Sequence, residues 1–347
     1  MRLSHGVLGT VFGLGLGALT AACGAAPPPP PPSRPPAPSP TPVAADSATP
    51  PGAPASPELA AGIKAFDSGD YPAARKSFEA AARKNPGDYE ALYDLGMACE
   101  KAGDRAAAEA AYKSALGVKP DLETAAAELC ALLVDEGRID DALAVGRAAL
   151  GKHPGSAALH ENVGVALASR NDQEDAIHEL EEAIKAQPSE AMFQLTLAHW
   201  LNAWHVRGAA PHLDVARDLA KDNYGMVASV GHEYRMAGEF DRCVKTFDRA
   251  VQMKDGGEVR TERALCRLGL KDEKGTLDDL QAGVAAEPGY APAHYYLGGR
   301  LALTKRFKDA VAEYAKYLEL APSGSLAKAA NERMKAAQDA AKTGKKK

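Results

Sequence analysis

The chain has 347 residues, 46% of them hydrophobic but only 6% aromatic, and alanine dominates, so it suits closely packed helices better than a sheet core and predicts almost no strand. A net charge of −5 with a pI near 6.0 creates no global basic field, which excludes nucleic acid from the reading of partners.

Residues 1–22 open with Arg2, run through an uncharged apolar stretch from Val7 to Leu19, and end on the small pair Ala21 and Ala22 before Cys23. A positive start, a short apolar core and a small-residue exit read as an export signal peptide, and the stretch is too short and glycine-rich for a membrane helix. The run Leu19-Thr20-Ala21-Ala22-Cys23 resembles a bacterial lipobox, with Thr20 a tolerated rather than a preferred residue. That resemblance implies cleavage before Cys23 after acylation of its thiol, so that several acyl chains hold the mature protein on a bilayer where one would not. Gly24 in place of Asp implies sorting to the outer membrane. The plainer alternative is an ordinary cleaved signal with a free cysteine nearby. The GLGLGA run at Gly13–Ala18 echoes a dinucleotide fingerprint, but it follows no strand and lies in the apolar signal core.

The linker, 23–57, is mostly proline, alanine and serine from Ala25 to Pro57, with one Arg and one Asp as its only charges, and it cannot bury a core. Prolines this dense favour extended polyproline II, which at roughly 3.1 Å per residue reaches up to about 100 Å. A spacer with no recognition role and a tether that presents the rest of the chain at a distance both fit.

From residue 55 to 324 the chain repeats itself. The stretch Tyr89–Leu122 predicts two amphipathic helices, Tyr89–Ala102 and Arg105–Gly117, broken at Gly103-Asp104 and stopped by Pro120. Units on the same offsets start at Ala55, Tyr89, Glu123, Ala157, Ala191, Tyr224, Gly257 and Ala291, 34 residues apart except for two steps of 33. Turn pairs recur at one phase: Gly69-Asp70, Gly103-Asp104, Gly137-Arg138, Asn171-Asp172, Gly238-Glu239 and Lys271-Asp272. The third unit carries Cys130 and Gly146 at the small and aromatic places. The fifth is degenerate, with a one-residue deletion around its turn, and the seventh is the weakest. A further helix over 325–341, with Leu326, Ala329, Ala330 and Met334 on one side, would cover the open end of a stack, ahead of a basic tail at 342–347.

Gly96, Ala108, Tyr112, Ala115 and Pro120 occupy the places of small residue, alanine, aromatic, alanine and proline that define the tetratricopeptide repeat, which this array resembles. The resemblance implies an all-α, right-handed superhelical solenoid of about eight helix pairs with a C-terminal capping helix. It also implies that the first helix of each unit lines a concave groove that holds a partner segment. By the same offsets the groove residues are Glu90, Tyr93, Asp94 and Met97 in unit two, Glu128 in unit three, and Glu161 and Asn162 in unit four. Units five and six supply His199, Asn202, His232 and Arg235, and unit eight Tyr295 and Tyr296. An acidic early groove and a His-rich, aromatic later one would select a segment with a basic stretch and an apolar anchor. A merely solvated face is the plainer reading of any one of these residues. The Lys, Arg and Asn set with which chaperone-binding members clamp a carboxylate is absent.

His199 and His232 lie one repeat apart, too far for a metal site with so few ligands, and no HExxH, CxxC or phosphate loop stands at a usable place, so no metal, cofactor or catalytic residue is expected. Cys99, Cys130, Cys243 and Cys266 fall at or beside core offsets as buried thiols, while repeat phase leaves Cys99–Cys130 and Cys243–Cys266 open as disulfides in an oxidising compartment. The leading expectation is a non-enzymatic, membrane-tethered scaffold that binds protein subunits of an envelope machine. The alternative is a periplasmic carrier or sensor that binds a small or peptidoglycan-derived ligand in the later groove.

Overall fold

A computed structural model describes residues 56–343. The signal peptide, Cys23, nearly all of the linker and the last four residues lie outside the described residues. Those described form seventeen helices and no strand. Eight helix pairs follow one another: α1 (Pro57–Asp67) and α2 (Tyr71–Lys84), α3 (Tyr89–Lys101) and α4 (Arg105–Val118), α5 (Glu123–Asp135) and α6 (Ile139–Leu150), α7 (Ala157–Ser169) and α8 (Gln173–Ala186). Then come α9 (Ala191–Ala203) and α10 (Ala209–Leu219), α11 (Tyr224–Met236) and α12 (Phe240–Met253), α13 (Gly257–Gly269) and α14 (Glu273–Ala286), and α15 (Ala291–Leu303) and α16 (Phe307–Leu320), with α17 (Ala327–Thr343) last. From the second unit on, every first helix begins at the residue where the repeat alignment starts its unit.

The turn within each pair follows from two adjacent residues. The first adopts a left-handed backbone, Gly103 at φ +82° and Asn171 at φ +66°, which ends the first helix with little steric cost for Gly or Asn. The second caps the next helix: Asp70, Asp104 and Asp272 accept from the backbone N–H of Ala73, Ala107 and Gly275, each worth about 1 kcal/mol. In unit five the missing residue shortens α10 to 11 residues rather than shortening the turn, which is stretched through His205 at φ +56° and Gly208 at φ +122°. The second 33-residue step falls in the link between α12 and α13, before Gly257.

Within a pair, the small residue and the aromatic of the repeat meet. A Cβ on Gly96 would stand 2.4 Å from Tyr112 Cε1, so the ring of Tyr112 fills the volume a side chain would need. Gly62 with Phe78 and Gly231 with Phe247 repeat the arrangement, at 2.5 and 2.8 Å. Unit three inverts it. Gly146 stands where the aromatic belongs, and Val163 from the next unit takes the vacated space, 2.5 Å from where a Cβ would lie. Burial of Tyr112, Tyr234, Tyr314, Phe78 and Phe247 therefore repeats down the stack, each side chain contributing about 2 kcal/mol. Neighbouring core clusters share border residues such as Leu95 and Trp200, so one apolar seam runs through units stacked side by side. At the end α17 lays Ala327, Ala330 and Ala337 on α16 and joins the cluster of Tyr295, Tyr314 and Tyr317.

Candidate functional site

First helices of neighbouring units pack on each other, backbone to backbone, whereas second helices contact their own partner and the following first helix. The odd-numbered helices therefore form one continuous wall, and side chains that point along it either bridge to the next unit or face outward. The backbones of α3 and α5 lie slightly less close than those of other neighbouring odd-numbered helices, while Tyr93 and Cys99 of α3 share one core cluster with Leu129, Cys130 and Leu133 of α5.

In the later wall most of the expected groove residues hold the wall together. His199 Nδ1 lies 2.8 Å from Glu233 Oε1, and Asn202 Nδ2 donates to Glu233 Oε2 at 2.8 Å and to the Glu233 carbonyl at 3.0 Å. Burial pushes Glu233 up, but the hydrogen bonds from His199 and Asn202 and the charge of the histidines outweigh it and hold the carboxyl below its ordinary value. One unit on, Arg235 donates from Nε to Glu262 Oε2 at 2.9 Å, while its Nη2 stands 3.2 Å from His232 Nδ1. Burial raises Glu262 and the pair His232 and Arg235 more than reverses that. Glu161 and Asn162 are buried as well: Thr196 donates to Glu161 Oε1 at 3.0 Å, and Asn162 Nδ2 to the Ala127 carbonyl at 2.8 Å. Apart from the Arg235–His232 contact within α11, each of these links joins one first helix to the next, and the groups they occupy are less available to a ligand. Repeat offsets had singled out His199, Asn202, His232 and Arg235 but not their acceptors. Glu233 sits 34 residues after His199, one repeat later, and that separation of opposite charge was the available signal.

Tyr295 is also in the core, 4% exposed beneath α17, with the Arg333 guanidinium 5.1 Å from its ring centroid. Tyr296 beside it is half-buried and meets it edge to face. The last unit thus spends its aromatic pair on the C-terminal end of the stack.

Unit two differs. Glu90, Asp94 and Met97 are half-buried on α3, and Glu128 is half-buried on α5. Neither Glu90 nor Asp94 makes an ion pair among the described residues; Glu90 accepts a long bond of 3.4 Å from the Tyr89 hydroxyl. Asp94 is pushed up to about 7 by burial first and then by the like charges of Glu90 and Asp88. Tyr93 is only 4% exposed, and its hydroxyl is raised by burial and by Glu128 and Asp94. That hydroxyl and the hydroxyl of Thr124 on α5 are both closed to solvent, and neither has a partner at hydrogen-bonding geometry.

The cysteines divide. Cys243 on α12 and Cys266 on α13 form a disulfide with Cα atoms 5.9 Å apart, while Cys99 and Cys130 are free and buried. Among the described residues no three His, Cys, Asp or Glu side chains group as metal ligands, and no helix is long and apolar enough to cross a membrane.

The sequence profile described as the tetratricopeptide repeat matches residues 59–123 and 132–195. No curated protein matches the chain. Among solved structures, yeast Tom70 is 16% identical over 86% of this chain and 67% of its own, with a TM-score of 0.52. A tetratricopeptide repeat protein from Parabacteroides merdae is 16% identical over 80% and 97%, with a TM-score of 0.46. MamA from Desulfovibrio magneticus is 22% identical over 47% and 93%, at 0.43. At these identities the likeness speaks to fold alone, and of the three only Tom70 counts toward it; residues 59–123 and 132–195 match the tetratricopeptide repeat, and the described residues form an all-α solenoid of helix pairs.

Proposed function

We propose that this protein is a non-enzymatic scaffold, tethered to a bacterial envelope membrane through an acylated Cys23, that holds protein subunits of an envelope machine on the wall formed by its odd-numbered helices. The observation that carries the reading is the contrast along that wall. Polar groups from α7 to α13 are largely satisfied by one another, whereas Glu90 and Asp94 on α3 make no ion pair among the described residues and the buried hydroxyls of Tyr93 on α3 and Thr124 on α5 make no close hydrogen bond. A surface left unsatisfied within an otherwise satisfied scaffold is where a partner gains most. The Cys243–Cys266 disulfide supports an exported location, since such bonds persist in oxidising compartments. The lipobox-like run and the proline-rich stretch supply the anchor and the reach, and Gly24 favours the periplasmic face of the outer membrane. A carrier or sensor of a small ligand would use the later wall, where His199, Asn202, His232 and Arg235 are already engaged.

Two measurements test the proposal. Metabolic labelling with radioactive palmitate should mark the wild type and not Cys23→Ala, which should leave the membrane fraction. A tagged, full-length chain extracted from membranes should retain other envelope proteins. Unlabelled wild type would remove the anchor, and recovery of no envelope protein would remove the scaffold.

A further inference from the structure

Three observations meet at one step of the wall. The backbones of α3 and α5 hold each other less closely than do other neighbouring first helices. Glu90 and Asp94 line that step without an ion pair among the described residues, and Glu128, which has contacts of its own, adds a third carboxylate from α5. Beside them Tyr93, 4% exposed, carries a hydroxyl with no partner within hydrogen-bonding distance, which faces the equally unbonded hydroxyl of Thr124 and feels the charges of Glu128 and Asp94. A buried hydroxyl left unpaired is costly, so the free chain keeps a hydrogen-bonding capacity that it does not use. Nearby basic residues are committed elsewhere: Lys119 lies over the Tyr89 ring, Arg75 pairs with Glu79 and Asp104, and Arg105 with Asp135.

Resting on the scaffold reading above, we propose that the seam between α3 and α5 receives a lysine side chain from an extended segment of a partner protein. Asp94, Glu90 and Glu128 neutralise the ammonium, the Tyr93 and Thr124 hydroxyls complete its hydrogen bonds, and an apolar neighbour on the segment rests against Met97. Single acceptors on separate side chains suit the three diverging N–H bonds of an ammonium. A guanidinium wants one carboxylate that accepts both arms of its planar fork. Both hydroxyls are closed to bulk water in the free chain, so the ammonium reaches them by parting α3 from α5, where the wall has least to lose.

The test uses the full-length protein and a fluorescent lysine–leucine decapeptide, with fluorescence anisotropy as the readout. The peptide should bind, more weakly as salt rises, and acetylation of its lysines should cost at least about tenfold. Glu90→Lys with Asp94→Lys should cost about tenfold or more, while Glu182→Lys on α8 should change nothing. Tyr93→Phe and Thr124→Val separate recognition from structure. Each removes a hydroxyl with no partner in the free chain, so Tm should hold or rise while affinity falls about fivefold. Wild-type affinity in Tyr93→Phe and Thr124→Val, or indifference to the charge reversals, would overturn the proposal. So would equal binding of the acetylated peptide or of a glutamate–leucine peptide, and so would absence of binding to the lysine peptide. Spermidine bound as tightly as the peptide would mark a polyamine site and overturn the protein partner. If membrane proteins are still captured by the charge-reversed chain, the scaffold reading stands and this inference alone falls.

Discussion

His199 on α9 reaches 2.8 Å across to Glu233 on α11, and this contact turns two residues one repeat apart into a brace between units. Glu233→Ala should cost about 3 kcal/mol, because it leaves His199 and Asn202 without their acceptor in a buried setting. The double change His199→Leu with Glu233→Leu should cost much less. Glu233 is held below its ordinary value of 4.5, so its contribution is present above that value and is lost as pH falls through the folded-state pKa. Denaturant titrations of wild type and Glu233→Ala should therefore differ at neutral pH and converge in acid, once pH falls below the folded-state pKa.

Gly96 has no room for a methyl group. A Cβ there would sit 2.4 Å from the Tyr112 ring, which is fully buried between α3 and α4 and donates its hydroxyl to Glu100 at 3.0 Å. Gly96→Ala should destabilise by about 1–3 kcal/mol despite the better helix propensity of alanine, and Gly96→Ala with Tyr112→Leu should recover part of the loss. Gly117→Ala, at a position with open space around it, is the control and should not destabilise.

Reduction should act on one cysteine pair only. The Cys243–Cys266 bond spans a sequence separation of 23, for which loop-closure entropy gives about 3 kcal/mol. Dithiothreitol or Cys266→Ser should lower Tm accordingly. Cys99 and Cys130 are buried, and burial pushes the Cys99 thiol up, so a thiol reagent should reach them only after denaturant is added.

Asp94 should make folding and binding depend on pH around neutrality. Its folded-state value of about 7 lies above the model-compound 3.8, so the stability it contributes is fully present below 3.8 and is lost as pH rises through about 7. Asp94→Asn should therefore be more stable than wild type at pH 8, on the order of 2 kcal/mol once solvent screening is allowed for, and the gap should close near pH 4. An ammonium bound among Asp94, Glu90 and Asp88 on the α3 side and Glu128 on α5 favours the ionised form. Affinity for the lysine peptide should rise with pH up to about 7 in wild type and lose that dependence in Asp94→Asn.

The repeat was legible because its rules are local: a left-handed residue at each turn, followed by Asp in half of the units, a small residue opposite an aromatic, and a period that places each first helix. The wall was less legible because facing depends on the neighbouring unit. Tyr93, Glu161, Asn162 and Tyr295 occupy positions that the offsets aim at the groove, but an adjacent helix covers each of them. The two cysteine pairs also had equal standing by phase. Cys243 and Cys266 lie on α12 and α13, which pack together and bond, whereas Cys99 on α3 and Cys130 on α5 share one core cluster as thiols. The Cys130 sulfur lies 3.3 Å from the Ala142 carbonyl of its own unit. Periodicity cannot report that difference, since it arises from how two units lean on each other.

The central claim is that a partner docks on the wall at α3 and α5, and site-specific photocrosslinking in cells tests it most directly. A benzophenone amino acid at Met97, half-buried on α3 one turn after Asp94, should yield a defined adduct with an envelope protein, and the adduct should be lost on charge reversal at Glu90 and Asp94. The same probe at Lys113, exposed on α4, should yield none. No adduct at Met97, or equal adducts at Met97 and Lys113, would contradict the account.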